Sequence, residues 1–295
     1  MRVIIWFQSP NVKMLIATVN ILNKLYGDVC ILGMTGTNKA ASPSSGPISF
    51  IDKHDVAALD YDLIIVSGEN SSMVDVQREA PELGIDPDKI VLDRTICLRN
   101  FSLERYQQLR QSQLSILSRN CWGGLVYHQM GLPFLSPTVN MFFAEQDFVK
   151  FACNPQYYCA QELRLVGEDF NAQLQFRYPI FMIDDVKLYM NHYRSADDAR
   201  EKWRLRAARI NWSNVLAVMY TKDRDVLAEF DKTPFDKKIC FVPFETDIES
   251  AFYISPERFR GRELWQAVLA TSQDDIVCID LWDLLISDKK TPINT

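Results

Sequence analysis

The 295-residue sequence is poor in the residue types that build metal centres. It contains only three histidines, His54, His128 and His192, and its seven cysteines are scattered without a CxxC pair. Structural zinc sites need such residues at short spacings, so a zinc site is not indicated. An odd number of unpaired cysteines predicts free thiols in hydrophobic cores and not a disulfide framework.

Phosphate-binding signatures are missing as well. The glycine pair Gly123-Gly124 belongs to neither a Walker loop nor a GxGxxG run, and Gln8-Ser9-Pro10, the turn after the first predicted strand, contains no glycine. This argues against NAD or FAD held as in dinucleotide-binding domains. It leaves a nucleotide, a nucleotide-sugar or no ligand as options for the N-terminal part.

Long hydrophobic runs and an excess of positive charge are absent too. No run approaches the length of a membrane span, and the start MRVIIWFQSP has too short an apolar run for a signal peptide, so we expect a cytoplasmic protein. The net charge of −6 argues against nucleic acid as a partner. A neutral ligand, or a small anion met by a few arginines, stays compatible with this composition.

What the sequence does contain is an alternation of apolar strands with amphipathic helices. Strand-like runs at 2–7, 29–34, 62–67 and 89–92 predict a small Rossmann-like parallel sheet within residues 1–112. Residues 113–295 continue the α/β pattern, with a helix predicted at about 145–166, which Asn154-Pro155 could break, and a hairpin turning at Asp184-Asp185. We therefore predict an α/β protein of two domains, the second with a mixed sheet.

The stretch from Ile116 to Phe143 places residues that are costly to bury between two apolar runs with hardly a charge. A short predicted strand leads into Asn120-Cys121-Trp122-Gly123-Gly124 and then into a helix. Free backbone N–H groups at such a helix start would suit an anion such as phosphate. The alternative is a tight turn that lets backbone segments pack closely. Asn140, in a second polar turn, would face the same cleft.

Two hypotheses involve His192. A hairpin could bring it to one face with Asp185 as an acid/base pair; the alternative is a polar turn and a histidine at a strand end. Cys121 with His128 or His192 could form a thiolate nucleophile. The alternative there is a buried, inert cysteine.

Asp223-Arg224-Asp225 directly follows an apolar strand predicted at 215–220. Two carboxylates at this spacing resemble the DxD arrangement of metal-dependent glycosyltransferases, in which they hold Mg²⁺ or Mn²⁺ against a diphosphate. The alternative is structural: Asp223 caps the next helix, and Asp225 faces its dipole.

A basic segment stands out in this acidic chain. Lys202, Arg206 and Arg209 lie three or four residues apart on one face of a predicted helix, which could clamp a phosphate or carboxylate. The alternative is a solvated basic face with Trp203 packed inward.

These stretches carry a resemblance to a known family. SRNCWGGLVYHQMGLPFLSPTVNMFF, DFVKF, YPIFMIDDVKLYMNHY, SADDAREKW, RIN and TKDRD are similar to a bacterial family of unknown function whose members are labelled exopolysaccharide-biosynthesis-like proteins. The likeness spans roughly Ser115 to Phe244. It implies a setting in surface-polysaccharide synthesis and supplies no established reaction. The signature positions it implies include Asn120, Cys121, Trp122, Gly123, Gly124, Asn140, His192, Arg209, Asn211, Asp223 and Asp225.

The resulting prediction is a transferase, glycosyl or other, that acts on an activated sugar in polysaccharide assembly. Gly123-Gly124, Arg206 and Arg209 would hold a diphosphate, Asn120, Asn140 and His192 would orient sugar hydroxyls, and Asp185 or His192 would be the general base. Asp223 and Asp225 would hold Mg²⁺ or Mn²⁺. The alternative is a non-catalytic nucleotide- or sugar-binding scaffold, and a homo-oligomer is left open. A hydrolase using the Cys121 thiol is a third option.

Overall fold

A computed structural model of the protein describes residues 1–7, 12–36, 48–287 and 289–293. By their internal contacts these residues fall into two compact units, 1–107 with 128–131, and 108–127 with 132–295. The division near residue 112 stays a prediction. The turn at Gln8-Ser9-Pro10, where the sequence lacks a glycine, lies outside the described residues.

The first unit is built on a parallel four-stranded sheet in the order β2-β1-β3-β4. Its strands are β1 (Arg2–Phe7), β2 (Cys30–Gly36), β3 (Leu63–Ser67) and β4 (Ile90–Leu92). Every residue of β3 and β4 is buried, as expected for strands covered on both faces. The helices are α1 (Val12–Tyr26), α2 (Asn70–Glu79), α3 (Asp93–Ile96) and the start of α4 (Leu103–Ser112). The predicted Rossmann-like α/β arrangement is confirmed.

The second unit contains a parallel four-stranded sheet in the order β11-β10-β9-β5. Its strands are β5 (Ser115–Ser118), β9 (Val215–Tyr220), β10 (Lys237–Val242) and β11 (Ala251–Tyr253). The helices of this part are α5 (Trp122–Met130), α6 (Glu145–Cys153), α7 (Pro155–Cys159), α8 (Ala196–Ala207), α9 (Arg224–Asp231), α10 (Leu264–Thr271) and α11 (Leu281–Ser287).

A separate antiparallel sheet in the order β6-β7-β8 completes the second unit. It consists of β6 (Arg164–Asn171), β7 (Phe176–Ile183) and β8 (Val186–Tyr189), and β7 turns into β8 at Asp184, which has a φ of 52°. The hairpin was predicted from the sequence. The mixture of strand directions was also expected, but it is divided between two sheets and does not form one mixed sheet.

The helix predicted at 145–166 is wrong in its C-terminal part. Asn154, with φ −147° and ψ 61°, breaks it after α6, and Pro155 then begins the short helix α7. From Arg164 the chain is β6, paired with β7 over its whole length. Pairing with a distant strand overrides the helical spacing of the apolar residues, because strand propensity depends on the neighbouring strand.

The core of the second unit lies among its two sheets and α6, α8 and α9. The largest contributions come from aromatic side chains, and Phe148 and Phe151 of α6 both pack on Phe143 with ring centroids 5.5 and 5.2 Å apart. At the start of α5, Gly123 is buried against β5. A Cβ there would lie 2.9 Å from Ile116 Cγ2 and 3.0 Å from Ser118 Oγ. The glycine therefore allows a close helix–strand approach.

Gly123→Ala should lower the free energy of unfolding by about 1–3 kcal/mol, because the added methyl group overpacks this contact. Gly167→Ala is the matched control, since a Cβ at Gly167 of β6 meets no atom within 4 Å. It should change stability by no more than about 0.5 kcal/mol. Urea unfolding measures both, and equal effects would contradict the packing role of Gly123.

Candidate functional site

A cavity of about 820 Å³ lies in the second unit. It opens at the carboxyl ends of two parallel strands, where Asn120 and Cys121 follow β5 and Tyr220 ends β9. Asn191 and His192, which follow β8, line it as well. The remaining walls come from the β6–β7 hairpin and from α10 with its flanking residues. Ligands of open α/β sheets bind at this edge, so the position favours a binding site.

Three residues that line the cavity each have a buried side-chain atom without a hydrogen-bond partner within the described residues: Nδ2 of Asn120, Oδ1 of Asn191 and Nη1 of Arg262. Asn120 is 7% exposed, and its Oδ1 accepts from the Trp122 amide at 3.1 Å, so its NH₂ group is the end left without a partner. Leaving such a group unsatisfied costs about 1–3 kcal/mol, and a bound polar ligand would recover that cost. Two donors, on Asn120 and Arg262, and one acceptor, on Asn191, therefore have no hydrogen-bond partner in the described protein.

The rest of the lining is largely aromatic and amide-bearing. Phe142 is stacked on Tyr189 with centroids 4.6 Å apart, and the Tyr178 hydroxyl donates to Asp169 at 2.9 Å. Trp265 on α10 lines the cavity and is 45% exposed as a residue. Apolar rings with a few placed amides are typical of sites for small molecules that have both apolar faces and hydroxyl groups.

Two side chains of the cavity lining, His192 and Cys121, have pKa values that are shifted in opposite directions. Desolvation by burial lowers the pKa of His192 below the usual 6.5, although the residue as a whole is exposed. Burial raises the pKa of the Cys121 thiol to about 11, and the thiol donates weakly to the Met141 carbonyl at 3.8 Å. At neutral pH the imidazole is neutral and the thiol is protonated. The contacts of Cys121 therefore give no support to a thiolate nucleophile.

The Arg119 side chain links the carboxyl ends of β5 and β9. Its guanidinium donates to the Tyr220 carbonyl at 2.7 Å, lies 4.0 Å from the Tyr220 ring centroid, and pairs with Glu145 at 3.1 Å. The Thr221 hydroxyl donates to the other Glu145 oxygen at 3.0 Å. This mostly buried network fixes Tyr220 at the end of β9 next to Arg119, which directly precedes Asn120 in the chain.

The glycine turn fits the packing alternative. The Gly123 amide donates to Ser118 Oγ at 3.1 Å, and the Trp122 amide donates to Asn120 Oδ1, so both N–H groups are already bonded within the protein. Trp122 is buried, and its indole N–H donates to Thr271 Oγ1 at 3.0 Å. Gly124 packs on Val139. The described geometry therefore does not support an anion site at this turn.

Asn140 does not line the cavity. It is exposed and has a φ of 62°, a left-handed conformation that asparagine adopts more readily than most residues. Next to it, the Val139 carbonyl accepts from the buried Tyr193 hydroxyl at 2.9 Å. The residue shapes the backbone of the second polar turn, and its contact with a ligand stays a prediction.

The basic segment fits the solvated-face alternative. Lys202 pairs with Asp198 at 2.9 Å, and Arg206 donates to the Tyr193 hydroxyl at 2.6 Å while lying over the Phe134 ring. Arg209 follows the end of α8 and is exposed. Neither arginine lines the cavity, and neither does the glycine pair, so their role as a diphosphate clamp stays a prediction.

Asn211 joins two strand starts. Its backbone amide donates to Ser115 Oγ at 2.9 Å, and its side-chain amide donates to the carbonyls of Gln113 and Ser112 at 3.3 and 3.5 Å. These bonds connect the residues before β9 to those before β5, at the opposite end of the strands from the cavity. Its substrate-binding role stays a prediction.

Asp223 caps α9, accepting from the amides of Asp225 and Val226 at 2.8 and 3.4 Å. These contacts match the cap alternative. Among the described residues no group of three or more His, Cys, Asp or Glu side chains could hold a metal ion. The Asp223 carboxylate is engaged as a helix cap, its role as a metal ligand with Asp225 stays a prediction, and we derive no chemical step from a metal.

Asp185 and His192 are not brought together. Asp185 lies in the turn before β8, and His192 follows the other end of that strand. The Asp185 carboxylate instead accepts from Lys150 and from the Tyr158 hydroxyl, both at 2.9 Å. The hydrogen bond from Lys150 has the largest effect on the pKa of Asp185, which it lowers, and the bond from Tyr158 lowers it further. The acid/base pair expected from the hairpin is thus separated by the length of a strand.

Sequence reasoning missed Asn191, Arg262 and Trp265. Asn191 directly precedes His192 in the chain, which was the only signal for it. Arg262 and Trp265 come from the segment around α10, far along the chain from Asn120, and no local motif distinguishes them. Arg262 also pairs with Asp275 at 2.7 Å through its other terminal nitrogen.

The fold and this cavity define an α/β protein with a cavity at the carboxyl edge of a parallel sheet. Residues 93–282 match the family described as "Domain of unknown function (DUF1919)", and the chain belongs to that family. It is 33% identical over 162 residues to an "Uncharacterized protein" of Haemophilus influenzae (strain ATCC 51907 / DSM 11121 / KW20 / Rd), covering 52% of this chain and 73% of that relative. The family description names no activity.

In structure, the chain is similar to the crystal structure of a dehydrogenase (MviM) from Clostridium difficile. The identity is 10% and the TM-score 0.25, with 62% of this chain and 67% of that chain covered. A likeness at this level carries no argument about activity. Within the described part of the chain, every helix is too short or too polar to cross a membrane. The cytoplasmic location and the oligomeric state stay predictions.

Glu145→Gln should destabilise the protein by about 1–3 kcal/mol, because it leaves the charge of Arg119, which is only 12% exposed, without its counterion. Glu201→Gln is the matched control, since Glu201 pairs with Arg204 on the solvated face of α8. That change should cost no more than about 0.5 kcal/mol. Denaturant unfolding of both variants checks this, and a silent Glu145→Gln would remove the pair's supporting role.

Proposed function

We propose that the cavity binds a carbohydrate, and that the protein acts as a transferase on an activated sugar in surface-polysaccharide synthesis. The observation that carries the proposal is that Asn120, Asn191 and Arg262, each with a buried polar side-chain atom that has no partner in the described protein, line one cavity. The resemblance of residues 115–244 to exopolysaccharide-biosynthesis-like proteins supports the same setting.

Amide and aromatic groups together match the surface of a sugar. Neighbouring sugar hydroxyls donate and accept side by side, as do the amide groups of Asn120 and Asn191. The C–H faces of a pyranose ring are apolar, and Trp265 and Tyr220 offer flat apolar surfaces to such faces. A purely apolar ligand would leave the three buried polar atoms unsatisfied, so the lining disfavours it.

The charges of the cavity favour the sugar part of an activated sugar over its diphosphate. The arginine in the lining, Arg262, is already paired with Asp275. The arginines proposed from the sequence as a clamp, Arg206 and Arg209, do not line the cavity. A diphosphate would therefore find little positive charge to hold it here.

His192 is the residue we assign as general base. Its lowered pKa keeps the imidazole neutral near pH 7, so the ring can accept the proton of an acceptor hydroxyl. The hydroxyl oxygen bonds to the anomeric carbon of the activated sugar as the bond from that carbon to the phosphate oxygen breaks, and the phosphate-bearing group leaves to solvent. Because His192 is exposed and also lines the cavity, an acceptor could reach it from solvent.

The second candidate is a sugar-binding protein without catalysis. It is favoured by the scarcity of reactive groups in the described lining, where Arg262 and Asp275 neutralise each other and Cys121 stays protonated. Turnover separates the two candidates: a binding scaffold would bind the sugar with the same dependence on Asn120 and convert nothing.

Asn120→Asp should abolish sugar binding or weaken it at least tenfold, about 1.4 kcal/mol, because it removes the free N–H donor. The carboxylate still accepts from the Trp122 amide, so the turn keeps its shape. The measurement is thermal shift and calorimetry with UDP-glucose, UDP-galactose, GDP-mannose and the free hexoses, with and without Mn²⁺.

The matched control is Asn20→Asp, the same chemical change at an exposed position of α1. It should leave sugar binding unchanged. Unaltered affinity in Asn120→Asp would place the ligand elsewhere, and no response to any sugar would count against both candidates. A stabilisation that requires Mn²⁺ and is lost in Asp223→Asn would restore the metal hypothesis.

His192→Gln should lower kcat by about 10²–10⁴-fold with little change in KM if the protein is a transferase. Because the pKa of His192 lies below 6.5, the wild-type rate should hold through neutral pH and decline only as the pH falls below 6.5. His54→Gln, an exposed histidine of the first unit, is the control and should leave the profile unchanged. A profile that keeps its acid limb in His192→Gln would exclude His192 as the base.

A further inference from the structure

A second cavity of about 570 Å³ in the same unit shares two of its lining residues, Tyr220 and Trp265, with the first. Cavities of about 300–1,000 Å³ are the size that holds one small molecule. Two such cavities on either side of the same aromatic side chains offer more room than one sugar unit needs. They suit a ligand that continues past the first site.

Trp265 is presented to both cavities on a rigid element. It is the second residue of α10, whose start is fixed by a capping box in which the Glu263 side chain accepts from the Gln266 amide and the Gln266 side chain accepts from the Glu263 amide at 2.9 Å. Trp265 as a residue is 45% exposed, whereas tryptophan is highly buried on average in folded proteins. An indole held in this way provides an apolar platform between the two cavities.

The second cavity is rich in charged residues, but its cations already have partners. Lys222 pairs with Glu263 at 3.2 Å, and Arg224 lies 4.2 Å from the Phe244 ring centroid. Glu145 is held by Arg119, and Asp223 caps α9. The lining carries three carboxylates against two cations, so it would repel a diphosphate more than it would attract one. It would accept neutral hydroxyl groups.

We infer that the site takes a neutral sugar chain of at least two residues, with one unit in the first cavity, the next stacked at Trp265 and the chain continuing into the second cavity. The inference rests on the carbohydrate-binding role proposed above and specifies its ligand. An oligosaccharide matches both cavities chemically, since each sugar unit repeats the same combination of apolar faces and hydroxyl groups.

The test compares chain lengths. Calorimetry on the full-length protein should use glucose, galactose, mannose and N-acetylglucosamine together with the corresponding disaccharides and tetrasaccharides. The sugar that binds as a monosaccharide should bind at least about tenfold tighter as the tetrasaccharide. Equal affinity per molecule at all lengths would overturn the extended site while leaving the carbohydrate-binding role intact.

Two variants locate the extra affinity. Lys222 lines only the second cavity and is largely exposed, so Lys222→Trp should fill that cavity without disturbing the core. It should abolish the gain from chain length and keep monosaccharide affinity within about threefold. Trp265→Ala should weaken both ligands, because the indole lines both cavities. A full length-dependent gain in Lys222→Trp would overturn the inference.

Fluorescence gives an independent readout. The chain has six tryptophans, and the difference between wild type and Trp265→Phe isolates the exposed one. Its emission should shift to the blue on tetrasaccharide binding as the indole is covered, and an unchanged emission would contradict stacking at Trp265. If UDP-glucose instead binds tighter than any tetrasaccharide and loses that affinity in Lys222→Trp, the second cavity belongs to a nucleotide and the chain proposal fails. If no sugar binds at all, the carbohydrate-binding role fails first.

Discussion

The parallel pairing of β5 with β9 is the constraint on which the candidate site depends. Ser115 is paired with Val215, and parallel neighbours cannot be joined by a tight turn, so residues 119–214 must cross from one end of the sheet to the other. This crossover is unusually long and contains the antiparallel sheet as well as helices. Its parts return to the carboxyl ends of the two strands as the β6–β7 hairpin and as Asn191 and His192. The cavity is thus the space between a parallel sheet and the structure inserted in its own connection.

Several polar groups around the strand ends are hydrogen-bonded within the protein itself. Arg119, Glu145 and Thr221 bond one another, and Ser118 and Asn120 accept the amides at the start of α5. This explains why a glycine pair at a helix start, suggestive of an anion site in isolation, is a packing feature here. Against that background the partnerless atoms of Asn120, Asn191 and Arg262 are informative, because buried polar groups without partners are uncommon in folded proteins.

Sequence patterns identified Asn120, Cys121 and His192, and these residues share the cavity, although their binding roles await experiment. The same reasoning also selected Asp185, Arg206 and Asp223, whose side chains are engaged by Lys150, by Tyr193 and by the first amides of α9. A residue type and its spacing indicate what a side chain can do, but its nearest partner decides what it does. For Asp223 both alternatives were visible in the chain. For Asp185 the length of β8 decided the matter, because a strand rises by about 3.3 Å per residue and keeps its two ends apart.

The amino-acid sequence alone indicated the local interactions: the α/β alternation, the buried parallel strands, the hairpin at Asp184 and, as one of two alternatives, the capping of α9 by Asp223. Each depends on residues a few positions apart, whose geometry the backbone dictates. The tertiary structure alone decided that 164–171 is a strand, since its partner is β7, and that Arg262 and Trp265 meet Asn120 across a cavity. Those outcomes depend on contacts between segments that are far apart in the chain. The sequence pattern of one segment does not show which polar atoms of another segment will lack a hydrogen-bond partner.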